Sequence, residues 1–133
     1  MNENKRELLK NYIKSNVAPI LIDYVGNLEL PNSVVLSSNC HKEELNGHYE
    51  KINFIPPKWY QELLSFDGYS ILIIDRIDSI SKDEQTKFIE ILKYRQLSTF
   101  EIPKNTVIIL TAKEINENTI NEELYSLVAH IRG

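Results

Sequence analysis

Glycine is scarce in this chain, with four among 133 residues. Turns that wrap phosphate in backbone N–H groups consume glycine, so a nucleotide-cradling loop is poorly provided for. Cysteine is scarcer still. Cys40 stands alone, which excludes an internal disulfide framework and makes a reducing cytoplasm the expected compartment. No apolar run reaches bilayer-spanning length, and the opening MNENKRELLK lacks the apolar core of a signal peptide, so no membrane partner is expected. Positive charge is also short. A formal net charge of −4 argues against a broad electrostatic nucleic-acid surface, though a local basic patch remains open.

What is present has the balance of an ordinary globular chain: 42% hydrophobic and 26% charged residues. That suffices for one domain with its own core. No repeat, linker or low-complexity tract divides it, so residues 1–133 read as a single α/β domain. Leu8, Leu9, Tyr12 and Ile13 recur at helical spacing within residues 3–14. Pro19 suits the first turn of a short helix over residues 20–25, with Gly26 as its stop. NSVVLSS (32–38) reads as a buried strand, and YEKINFI (49–55) as an alternating strand ended by Pro56 and Pro57. A helix is expected over 58–66. YSILIID (69–75) is apolar without alternation, the pattern of a parallel strand covered on both faces. Ser81 and Glu84 form a capping box opening a helix to about residue 97, with Phe88, Ile91 and Leu92 as its stripe. NTVIILTA (105–112), a short helix near 122–126 and a strand near 128–131 complete a five-stranded, mainly parallel sheet in three layers.

The sharpest feature is ILIIDRID (71–78), an apolar run leading into an aspartate. Acids at the carboxyl end of a parallel strand are well placed to hold Mg²⁺ beside a phosphate loop, or simply to cap the strand. ILIIDRIDSISKDEQTKFIEILKY resembles the Walker B segment and following helix of AAA+ ATPases within the P-loop NTPase superfamily. NTVIILTAK is similar to the next strand of that family, INEELYSLVAHI to the segment before its last strand, and LELPNSVVLSS to the entry of clamp-loader subunits into their first strand. The resemblance spans about residues 20–131. It implies a clamp-loader-like or helicase-loader-like domain lacking the family's helical lid, with ATP and Mg²⁺ as the family's cofactors.

Set against that resemblance, the nucleotide-site positions are degenerate. The turn after the first matched strand, SSNCHKEE from Ser37 and Ser38 onward, has no glycine. Lys42 takes the place of the phosphate-binding lysine and Glu43 that of the Mg²⁺-binding hydroxyl, where a carboxylate repels a triphosphate. About seven residues then precede the next strand, too few for a full helix, so no helix N-terminus is expected to receive phosphate. Arg76 replaces the acid that polarises water and cannot act as a base. Lys113 stands at the sensor position and Leu127 at that of the arginine finger. Asp75 and Asp78 remain, and Arg76 and Lys113 are expected to pair with them.

Other candidates weigh less. Cys40, His41 and His48 lack the second cysteine and four-ligand set of a zinc site, and Cys40–His41 as sequence neighbours make a poor nucleophile–base pair. Trp59 and Tyr60 either cap the core or form an exposed contact surface. Lys82, Lys87, Lys93 and Arg95 read as a solvated helix face, with a DNA-facing strip as the lesser alternative. The function expected is a non-catalytic AAA+-like scaffold with no cofactor, docking to protein partners such as ATPase subunits in replication or remodelling. The alternative is a divergent ATPase that completes its site, with ATP and Mg²⁺, from a neighbouring chain.

Overall fold

The computed structural model describes residues 1–97 and 99–132. The elements run α1 (Glu3–Ser15), β1 (Ile20–Asp23), β2 (Ser33–Ser37), α2 (Lys42–Asn46), β3 (His48–Glu50), β4 (Asn53–Ile55), α3 (Lys58–Leu64) and β5 (Ser70–Asp75). Two short 3₁₀ turns, Ile77–Ser79 and Glu84–Phe88, lead to α4 (Ile89–Tyr94). Then follow β6 (Gln96–Leu97), β7 (Phe100–Glu101), β8 (Thr106–Ala112), α5 (Glu122–Ser126) and β9 (Ala129–Ile131).

β5 and β8 are continuous β-branched and leucine runs because neither face meets water, and every residue of β8 is buried. Their alternate side chains serve two cores. Leu72, Ile74, Ile108 and Leu110 pack with Trp59 and Leu63 of α3, Ile91 and Leu92 of α4, and Leu124 of α5. Ile71, Ile73, Val107 and Ile109 pack with Leu9 of α1. The result is an α/β fold with a five-stranded parallel sheet between helical layers, ordered β2-β5-β8-β1-β9.

The sheet has the expected number of strands but not the expected members. Residues 20–23 form a strand, not a helix, and that strand sits second from one edge. Ile20, Leu21 and Ile22 are all fully buried, with Ile20 and Ile22 in one core and Leu21 in the other. A four-residue run with apolar residues facing both ways suits a parallel strand and leaves a helix no polar face. Residues 49–55 do not join this sheet. They fold back as the β3–β4 hairpin, turning at Lys51 (φ +58°) with Ile52 at the tip 92% exposed.

The helix expected up to residue 97 is also shorter. Ser81 does cap its start, since Glu84 N–H donates to Ser81 Oγ at 3.1 Å. The first turn is nevertheless 3₁₀, and Arg95 ends the helix in the left-handed region (φ +54°). Arg95 is held there by its guanidinium, which donates to the carbonyls of Pro103 and Thr106, both at 2.7 Å.

Candidate functional site

The five strands are parallel, so their carboxyl ends share one edge. Ligands of open α/β sheets bind beyond that edge, where successive connections leave in opposite directions. From β1 the chain crosses β8 and β5 to reach β2. From β8 it passes β1 to reach β9. The switch therefore lies between β1 and β8, and there Tyr24 N–H donates to Ala112 O at 2.9 Å, prolonging the ladder. No helix follows β1. Residues 24–32 cross to β2 as irregular chain, with Leu28 and Leu30 laid on the sheet face. Nine residues reach roughly 30 Å when extended, ample for three strand spacings of about 4.8 Å.

The turn expected to be a relic phosphate loop lies on the wrong strand. Ser37 ends β2, the sheet's edge, two strands away from the switch, and Ser38 and Lys42 follow it. Ser37 Oγ donates to Asn39 Oδ1 at 2.6 Å, and Lys42 opens α2 exposed to solvent. A helix does begin here, contrary to expectation, but it lasts five residues. Ser38 is buried and belongs to a different structure, donating its Oγ to Arg76 O at 2.7 Å.

That structure is a knot at the mouth of β5. Arg76 adopts the left-handed region (φ +56°), and its N–H donates to Thr111 Oγ1 at 3.0 Å. Thr111 Oγ1 in turn donates to Asp75 Oδ1 at 3.2 Å. Arg76 Nε donates to Asp78 Oδ1 at 2.9 Å, and the N–H groups of Lys113 and Glu114 both donate to Asp78 Oδ2 at 3.1 Å. Burial pushes the Asp78 carboxyl up. The Arg76 hydrogen bond, the two backbone donors and the Arg76 charge outweigh that and hold it below the usual carboxylate range. The Asp78 hydrogen bond is the first cause raising the Arg76 pKa in return.

The expected pairing is thus half formed. Arg76 takes Asp78, but Lys113 serves through its backbone while its side chain is exposed, and Asp75 is held by a hydroxyl instead of a cation. Leu127 is not part of the mouth. It is half-buried against the core shared by α3, α4 and α5.

No protein-family model and no curated protein matches the chain. Among solved structures it is similar to NtrX from Brucella abortus, with a TM-score of 0.60 and 14% identity over 99% of this chain. The chain spans 36% of that NtrX chain. The likeness shows the fold alone. Membership of the AAA+ ATPases, implied by the sequence resemblance, is therefore withdrawn. No family model supports it, the structural likeness reaches no further than the parallel α/β fold, and the matched phosphate turn sits on an edge strand. An apolar run ending in Asp, followed by a helix and another apolar run, is what any buried parallel strand pair produces.

A second cluster at the strand mouths escaped the sequence reading. Asp23, Ile120, Tyr125, His130 and Arg132 line a cleft of about 560 Å³ beyond β1 and β9. Lys5 Nζ reaches from α1 to Asp23 Oδ1 at 2.9 Å, and Tyr125 Oη is 2.8 Å from His130 Nδ1. Burial, followed by the Arg132 charge, lowers the His130 pKa against the opposing pull of Asp23. Its signal was available: ILID (20–23) repeats the pattern of ILIID (71–75).

The remaining candidates resolve into structural contacts. Trp59 is buried, its Nε1 donating to Leu45 O at 3.1 Å, and Tyr60 Oη donates to Glu101 O at 2.8 Å, so this pair caps the core. Lys82 and Lys87 donate to the carbonyls of Glu117 and Cys40, and Lys93 lies over the Tyr94 ring. With Arg95 turned inward as well, the four cations form no common strip. Burial raises the Cys40 thiol pKa, His41 N–H donates to Glu44, and His48 lies beside Glu50. Among the described residues no three His, Cys, Asp or Glu side chains cluster to hold a metal. Nor is any described helix long and apolar enough to cross a membrane.

Proposed function

We propose that this chain is a non-catalytic α/β docking domain that binds protein partners and uses neither nucleotide nor Mg²⁺. The observation that carries this reading is the knot at β5. Both oxygens of Asp78 are occupied by donors of the chain itself, and Arg76 neutralises it within the same turn. An acid that holds Mg²⁺ for phosphoryl transfer must offer its oxygens to the ion; those of Asp78 are already committed, and Asp75 Oδ1 already accepts from Thr111 Oγ1. The helix-free path after β1 points the same way, because a triphosphate at the switch point would meet no helix N-terminus. Retaining a fold while the mouth of β5 is tied shut suits a scaffold role, since function resides in sites and not in folds. A cytoplasmic setting fits the lone buried cysteine.

Titration with a fluorescent ATP analogue, with and without Mg²⁺, tests the reading. No saturation up to millimolar nucleotide is expected in either condition. Micromolar, Mg²⁺-dependent binding would overturn it in favour of a divergent ATPase.

A further inference from the structure

The two edges of the sheet differ in how they are defended. β9 is three residues long and carries His130, with Arg132 just beyond it. β2, SVVLS, has no charge, no proline and no bulge, and among the described residues pairs only with β5. Edge strands of monomeric proteins are normally blunted by such devices. Ile71 N–H donates to Asn32 O, and Ser38 N–H to Asp75 O. The alternation of a parallel ladder then turns residues 34 and 36 toward β5 and leaves the N–H and C=O of Val35 pointing outward. Val35 is 53% exposed.

A cleft flanks this edge on each face of the sheet, and Val35 lines both. On the α3 side a groove of about 600 Å³ is walled by Pro56, Pro57 and Trp59. On the other side a hollow of about 330 Å³ lies over Leu28 and Ile73. A sixth strand laid along β2 would send alternate side chains into these two spaces. The rim of the larger groove carries Glu43, Glu44 and Glu62 against Lys58, which already lies 3.9 Å from Glu62. We infer that the β2 edge is a strand-addition site for an extended peptide segment of a partner protein, apolar at alternate positions and flanked by Lys or Arg. Main-chain hydrogen bonds to Val35 supply affinity, while the clefts and acidic rim select the sequence. A second copy of this chain suits the edge less well, because pairing would bring two acidic rims together.

This inference rests on the docking reading and deepens it. The test selects peptides from a displayed random library on the whole chain and measures the hits by fluorescence anisotropy. Hits are expected to alternate apolar with polar residues, to carry terminal Lys or Arg, and to weaken at least tenfold on Val35→Pro and on Val35→Lys. Val35→Pro removes an outward N–H and spares the ladder to β5. Val35→Lys changes only an exposed side chain, so the domain stays folded if the proline strains it. The edge assignment is overturned by the absence of hits, by acidic or non-alternating hits, or by hits indifferent to both substitutions. A concentration-dependent dimer of the free chain that Val35→Lys abolishes would also overturn it, giving the edge to a second copy. Those results leave the docking reading standing, provided nucleotide does not bind; saturable Mg²⁺-nucleotide binding removes that reading whatever the peptides do.

Discussion

Replacing Asp78 by asparagine takes one charge out of the knot at β5 while keeping its shape. The Asp78 side chain is 6% exposed and accepts from Arg76 Nε and from two backbone N–H groups. Hydrogen bonds to a charged group contribute about 1.5–3 kcal/mol each, but these share one carboxylate, and asparagine retains an acceptor oxygen. The Arg76 side chain is 35% exposed and can turn to water, which removes most of the penalty of an unpaired cation. The expected loss is therefore about 2–3 kcal/mol, or roughly 8 °C in Tm for a domain of this size. Calorimetry and urea unfolding measure it, and a cycle with Arg76→Gln should return a coupling of about 1 kcal/mol. The pH dependence follows from the sign of the shift. The folded carboxyl titrates below its ordinary 3.8, so its contribution is complete above that value and fades as pH falls through the folded pKa. The two proteins should thus converge in stability in acid. A loss under about 0.5 kcal/mol at neutral pH, or a gap that persists in acid, would refute the account of the knot.

Two further predictions concern groups that sequence reading did not single out. Gln85 is fully buried, donating to the carbonyls of Ile77 and Thr119 and accepting from Asn121 N–H at 2.7 Å. Gln85→Leu should cost about 3 kcal/mol in urea unfolding by leaving those backbone groups without partners. His130 titrates below its unfolded value of 6.5, so it subtracts stability as pH falls from 7 through the folded pKa. His130→Gln should flatten the rise in Tm between about pH 5 and 7, and an unchanged slope would count against burial as the cause.

The class of fold was legible because β5 and β8 are long, continuously apolar runs that admit no amphipathic reading. β1 was not legible for a local reason. Ile20, Leu21 and Ile22, after Pro19 and before Gly26, match a helix start and stop as well as a strand, and only burial on both sides decides between them. The strand at 49–55 failed the other way. Its burial does not alternate, because Lys51 enters the left-handed region and folds it into a hairpin. At the site, the acids at 75 and 78 and the cation at 76 were visible, and the other partners were not. Lys113 and Glu114 act through backbone N–H groups that any residue could supply, so no side-chain pattern announces them. Misplacing the first strand shifted the presumed phosphate turn to an edge and left Asp23, at the end of an inner strand, unremarked.

The position of β1 also bears on how the chain reaches its fold. Ile20 pairs with Ile109 and with Ala129, so this strand inserts between two that follow it in the chain by 89 and 109 residues. β2, β5 and β8, by contrast, add side by side in chain order. Closing so long a loop adds little to the equilibrium cost, since that cost grows only logarithmically with length. It weighs on kinetics instead, because distant pairings form late. Until β8 is complete, ILID has no neighbour to bond with, and three apolar side chains that native packing will hide entirely wait exposed.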